Sequence, residues 1–268
     1  MAPERAPMER TTRMISKRSR RAVLGAAALG LGLLLSLSSG VALGRSRTSD
    51  LTVSTTSDVV DANGGDCATL QPADLPGGDG LISLREAICA ANNLPGEDVV
   101  SVPSGVYTLT IHGKDEDSSA VGDLDITDHL TIARIGATET IIDGDGADRV
   151  LHVDPAGTGT VRVHVEGITI LNGDAGAAPG GGVYNRGHLL LANSRVCSNT
   201  VDASDPGAFG GAGLFSDGIL TVVNSAIYDN VVAGGSGGGL ENYGRATLAD
   251  VMVKGNQAHA GGTEPVVG

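Results

Sequence analysis

Three segments of the chain can be laid over one another: "GGGVYNRGHLLLANSRVCSNTV" from Gly180, "GAGLFSDGILTVVNSAIYDNVV" from Gly211 and "GGGLENYGRATLADVMVKGNQA" from Gly237. Gly182, Gly213 and Gly239 correspond, as do Gly187, Gly218 and Gly244, at offsets of 31 and 26 residues. The difference in length falls in the glycine-rich connections. A stack of similar units with a variable outward loop has this property. Within each unit apolar residues alternate: Leu189 and Leu191 before Val196, Leu220 and Val222 before Ile227, Ala246 and Leu248 before Val253. Period two predicts short strands with one buried face. Two Asn columns recur, Asn193, Asn224 and Asp250 at one bend and Asn199, Asn230 and Asn256 at the next. Asn tolerates left-handed bends, and stacked amides can bond along a column. That structural role accounts for these residues, and no catalysis is assigned to them.

The pattern continues upstream in "TVRVHVEGITILNG" (160–173), "HLTIARIGATETIIDGDGADRVLHV" (129–153) and "DVVSVPSGVYTLTI" (98–111). Consecutive short strands without helical crossovers, in units of 20 to 30 residues, predict an all-β chain folded as a parallel β-helix. A Greek-key sandwich would not need like residues at equivalent bends. Composition agrees. Gly numbers 41 and aromatics make up 2% with no Trp, so the core must come from Val, Ile, Leu and Ala and the turns from Gly.

One stretch breaks the pattern. In "LISLREAICAANN" (81–93), Ser83 and Glu86 fit a capping box. Leu84, Ala87, Ile88 and Ala91 share a helical face, and Asn92 or Asn93 followed by Pro95-Gly96 ends the helix. A helix of about two turns is unstable alone, so its apolar face must rest on something. The open end of a β stack is such a surface. This motif, with "GDLDITDHLTI" (122–132), "TIIDGDGADRVLHV" (140–153) and the glycine-rich repeats, resembles the bacterial CSLREA-domain proteins over roughly residues 51–262. Ile82 stands where the family name has Cys. The resemblance implies a secreted or surface protein with right-handed β-helix repeats, often part of a larger chain, and no defined enzymatic activity. The expected order is a cap region at 45–97, β-helix coils at 98–262 and a tail at 263–268.

Residues 1–44 read as an export signal: seven basic residues up to Arg21, the apolar run "AVLGAAALGLGLLL", then "SLSSGVALG" with Ala42 and Gly44 before a plausible cut. "SRRAVLG" partly resembles a twin-arginine signal, the general secretory route stays open, and an uncleaved anchor is the rival. Without the seven basic and two acidic residues of this segment, 11 basic and 29 acidic residues remain, a net charge of −18. Such a surface repels nucleic acid. The mature chain is expected outside the cell or in its envelope, with no membrane insertion. Of three cysteines, Cys67 and Cys89 lie close in sequence and are expected to pair after export, which leaves Cys197 over.

The expected function is structural, adhesive or binding, with loops 174–181, 202–210 and 233–238 presented to an extracellular glycan or protein. The alternative is a polysaccharide lyase or glycoside hydrolase on the same scaffold, an argument from fold analogy. Paired carboxylates for such chemistry would come from Asp123, Asp125 and Asp128 or from Asp143, Asp145 and Asp148, with Arg149 as a lyase base. Asp at glycine-rich bends more often stabilises turns. His112, His129, His152, His164, His188 and His259 show no metal-ligand spacing. The acidic loop "KDEDSSAVGDLD" (114–125) is a candidate calcium loop without EF-hand spacing; no other cofactor is expected. "TEPVVG" ends the chain where a further coil should begin, which suggests a truncated chain, a missing anchor or end-to-end association through an uncapped last coil.

Overall fold

The computed structural model describes residues 48–259, apart from 115 and 204–208, together with the backbone of 265–267. The expected export signal lies outside the described residues, as does most of the 202–210 loop. The described chain is mostly β, and its strand pairs are parallel except for the last one. No helix among the described residues is long and apolar enough to cross a membrane.

Each of the three aligned segments contributes four strands, and each strand pairs with its counterparts in neighbouring segments. The first set, Val183–Asn185, Leu214–Ser216 and Leu240–Asn242, continues back through Leu151–Val153 to Leu124–Ile126 as a five-stranded parallel sheet. The second set is His188–Ala192, Ile219–Val223 and Arg245–Ala249, and the third is Arg195–Cys197, Ala226–Tyr228 and Met252–Lys254. Both join an eleven-stranded sheet through the long strand His129–Asp143. Its first half pairs with Arg162–Glu166 and its second half with Ile168–Leu171. The fourth set, Thr200–Asp202, Val231–Ala233 and Gln257–His259, forms a smaller sheet closed by an antiparallel strand at Pro265–Val267. The tail therefore covers one strand edge, where the sequence suggested none covered.

The hydrogen-bond register is the register of the sequence repeat. Leu189 pairs with Leu220 and Leu220 with Ala246, as aligned. Alternation sends Leu191, Val196, Val222 and Ile227 into one aliphatic core. At equivalent positions in the last segment, Leu248 and Val253 are 42% and 53% exposed. The repeated glycines are a packing requirement. A Cβ on Gly213 would lie 2.7 Å from Asn230 Nδ2, and one on Gly239 would lie 2.6 Å from Asn256 Nδ2.

Those two contacts point to the buried Asn column. Asn199 Nδ2 donates to Asn230 Oδ1, and Asn230 Nδ2 to Asn256 Oδ1, both at 2.9 Å. Each amide oxygen also accepts a backbone N–H: Gly173 to Asn199, Asn199 to Asn230 and Asn230 to Asn256. The other column behaves differently. Asn193, Asn224 and Asp250 are exposed, with φ of 49°, 48° and 54°. They turn the chain and do not form a ladder with one another. The residues beside them do: Ser194 N donates to Ser225 Oγ, and Ile168 N to Ser194 Oγ.

The helix runs Leu84–Asn92 with Ser83 as N-cap and the reciprocal capping box formed with Glu86. The expected amphipathic face is too narrow a description, because Leu84 to Ala91 are all buried, Arg85 and Glu86 included. Glu86 Oε1 accepts from the Asp61 and Ala62 amides while Oε2 accepts from Ser83. Arg85 forks onto Asp58, with Nε to Oδ1 at 2.7 Å and Nη2 to Oδ2 at 3.1 Å. Its remaining donors reach the carbonyls of Ser119, Gly122 and Asp123. At the other end of the helix Asn92 bonds the Asp125 carbonyl and the Thr127 amide. Cys67 and Cys89 form a disulfide beside it, and Cys197 is buried and free.

Candidate functional site

The segment gripped by Arg85 and Asn92 carries Asp123 and Asp125 onto the outer side of the five-stranded sheet. Every strand of that sheet is three residues long, and the middle residue of each faces outward. Register aligns these residues in one row: Asp125, His152, Tyr184, Phe215 and Glu241. An acidic cluster occupies one end of the row and an aromatic group the other.

At the acidic end, Asp123 and Asp125 are 2% and 0% exposed, and Asp148 and His152 are buried beside them. Arg149 Nη1 lies 3.3 Å from Asp123 Oδ2 and 3.3 Å from His152 Nδ1. Asp148 bonds the Arg149 amide. Asp125 Oδ2 accepts from the Ser119 amide at 2.9 Å, whereas Asp125 Oδ1 has no hydrogen-bond partner and lies 3.3 Å from His152 Nδ1. Burial pushes both Asp123 and Asp125 up to about 8, with neighbouring carboxylates adding to the effect. Burial, then the Arg149 charge, lowers His152 to about 4 and keeps its imidazole neutral at physiological pH.

Beyond His152 the row turns aromatic. Tyr184 stacks on the imidazole with centroids 4.9 Å apart and planes 10° apart, and meets Phe215 edge-on at 5.2 Å. Phe209 and Tyr243 join at 5.6 and 5.7 Å from Phe215 and at 5.3 Å from each other. The chain has four Tyr and two Phe, so four of its six aromatic residues sit in this group. Phe209 and Tyr243 are 53% and 63% exposed. Their rim is polar: Tyr243 Oη bonds Glu241 Oε1, and Tyr184 Oη approaches Asp217. The Arg149 and Arg186 guanidinium groups lie 5.8 and 5.9 Å from the Tyr184 ring centroid.

No protein-family model, curated protein or solved structure matches the chain. The reading of the site therefore rests on its own geometry.

Of the residues singled out as candidate acids and bases, the fold brings Asp123, Asp125, Asp148 and Arg149 together. It places Asp143 and Asp145 elsewhere. Asp143 Oδ1 accepts from the Asp145 amide and from Asn172, and Asp145 meets His112 at 3.0 Å. Asp128 binds the Gly96 and His129 amides at another turn. Sequence reasoning missed His152 and the aromatic group. The usable signal was the matching position of "LDI", "LHV", "VYN", "LFS" and "LEN", one outward residue per unit.

Proposed function

We propose that the chain is an exported parallel β-helix protein of the CSLREA type, and that it binds an uncharged extracellular glycan along the aromatic group without acting on it. The pairing of like strands in successive units, in the register of the sequence repeat, supports the β-helix reading. The observation that carries the function is the concentration of four of the six aromatic residues at one place, two of them open to solvent. Clustered exposed rings with a polar rim mark a contact site. A pyranose presents C–H groups on its flat face and hydroxyls around its edge. One sugar can stack on Phe209 and a neighbouring one on Tyr243, whose ring planes lie 87° apart, while Glu241 and Asp217 take hydroxyls. The chain's net charge of −13 disfavours polyuronates and sulfated glycans.

The polysaccharide lyase or hydrolase reading has one specific observation in its favour, the meeting of Asp123, Asp125 and Arg149. Burial counts against it. Carboxylates that flank a glycosidic bond must reach it, and these two carboxylates are enclosed. The test is affinity electrophoresis and calorimetry of the full chain against neutral polysaccharides, with reducing ends assayed in parallel. The wild type is expected to bind and release no sugar. The Phe209→Ala, Tyr243→Ala double variant is expected to bind about thirtyfold more weakly, from stacking worth roughly 1 kcal/mol per ring. Binding untouched by the double change, or sugar release lost in Asp123→Asn, would reject the proposal.

A further inference from the structure

A different part of the same row has chemistry that glycan binding does not use. Asp117 comes from the acidic loop and is 69% exposed. Its Oδ1 lies 3.7 Å from His152 Nδ1, and that nitrogen lies 3.3 Å from Asp125 Oδ1. One ligand atom from each of the three residues falls within 4.8 Å of the others. We propose that Asp117, Asp125 and His152 form a binding site for one divalent cation of the zinc class.

Four observations carry this. First, the electron pairs converge. Arg149 can only donate hydrogen bonds, so its contact at 3.3 Å with His152 Nδ1 calls for the lone pair on that nitrogen, with the proton on Nε2, which is buried without a hydrogen-bond partner. That lone pair and the two carboxylate oxygens, 3.3 and 3.7 Å from it, then crowd one region in which the Arg149 N–H is the hydrogen supplied. That arrangement repels itself unless a cation or a proton joins it. Second, Asp125 is fully buried and its Oδ1 has no hydrogen-bond partner. The Ser119 amide holds the other oxygen, so the carboxylate is fixed with one oxygen aimed into the cluster. Third, the spacing is suitable. Metal–ligand bonds of about 2.1 Å at a tetrahedral angle put ligand atoms about 3.4 Å apart, close to the 3.3 and 3.7 Å on either side of Nδ1. Fourth, the ring is pre-oriented by stacking on Tyr184.

The surroundings favour a cation. Glu116, Asp117, Asp123, Asp125 and Asp148 all act on this pocket, against Arg149 and, at His152, Arg186. The imidazole selects the metal. Calcium and magnesium prefer oxygen ligands, whereas one nitrogen with two carboxylates suits zinc and its neighbours. Arg149 is the internal competitor. Its Nη1 lies 3.3 Å from both Asp123 Oδ2 and His152 Nδ1, so it must give up Nδ1, and can keep Asp123, when a metal occupies that nitrogen.

The experiment is equilibrium dialysis of the full chain, free of any polyhistidine tag and stripped with chelator, against ZnCl2, MnCl2 and CaCl2 separately, with bound metal measured by atomic emission. No glycan is present, so the result is independent of the proposed function. One zinc per chain is expected. Changing a residue that only hydrogen-bonds a metal ligand costs up to about a hundredfold in affinity, so losing a direct ligand should cost at least that, in both His152→Ala and Asp117→Asn. Asp117 is exposed, which keeps folding out of its result, and circular dichroism checks His152→Ala. Failure of the wild type to take up zinc would overturn the site, meaning that a proton on Asp125 joins the lone pairs instead. So would zinc uptake unchanged in both variants, or calcium taken in preference and indifferent to His152→Ala, which would indicate an all-oxygen loop site.

Discussion

Arg85→Ala is expected to lower stability by about 4 kcal/mol, the cost typical of breaking a buried ion pair from one side. Arg85 is fully enclosed, and its donors are spent on the Asp58 carboxylate and on the carbonyls of Ser119, Gly122 and Asp123. Alanine leaves those carbonyls buried without their donor, and leaves the Asp58 carboxylate facing only the amides of Thr110 and Ile111. Arg85→Lys keeps the charge but cannot fork onto a carboxylate and three carbonyls together. It is expected to recover less than half the loss. Urea unfolding gives the magnitudes, and hydrogen exchange locates them: the amides of 119–127 should lose protection first, because Arg85 holds one end of that segment and Asn92 the other. A variant within 0.5 kcal/mol of wild type would show that the pair and its carbonyl contacts contribute nothing net, as some buried pairs do when measured against a well-packed apolar replacement.

Arg85 shows where sequence reading reached its limit. The capping box could be read because Ser83 and Glu86 are three residues apart and their chemistry is local. Nothing local says that Asp58 and the carbonyls of 119–123 will meet Arg85, since those partners lie 27 to 38 residues away. Strand positions and register could be read for the opposite reason. The repeat copies the same local pattern, so alignment of the text is alignment in space. The site fell between these cases. Asp123 and Asp125 stood out as a carboxylate pair. His152 did not, because it is one outward residue on a three-residue strand, and its link to Asp125 appears only when unit is laid on unit. Tyr184 and Phe215 were hidden in the same way. The outward column of each unit is not fixed by core packing, so it escapes the alternation that identifies the core.

The two Asn columns were indistinguishable as text and should separate sharply by measurement. Asn230 is fully buried at the centre of its column. Its Oδ1 accepts from the Asn199 backbone and side chain, and its Nδ2 donates to Asn256 Oδ1 and to the Val196 carbonyl. Asn230→Ala removes all four bonds. It takes these bonds from the Asn199 amide and the Val196 carbonyl in a dry interior, at about 1–3 kcal/mol for each orphaned group, and leaves Asn199 Nδ2 only a long contact with the Ile170 carbonyl. A loss of about 4 kcal/mol is expected once the structure relaxes. Asn224 lies six residues earlier in the same unit, exposed, with φ of 48°. Asn224→Ala costs only the left-handed strain of a β-carbon, about 1 kcal/mol, and Asn224→Gly should be neutral or slightly stabilising because glycine adopts that φ freely. Thermal or urea unfolding of the three variants decides the matter. Equal losses at 230 and 224 would mean that the amide column adds nothing beyond turn formation. The predicted ordering would mean that the ladder ties successive units together, which is what a stack needs when each unit contributes only strands of three to five residues and cannot bury a core alone.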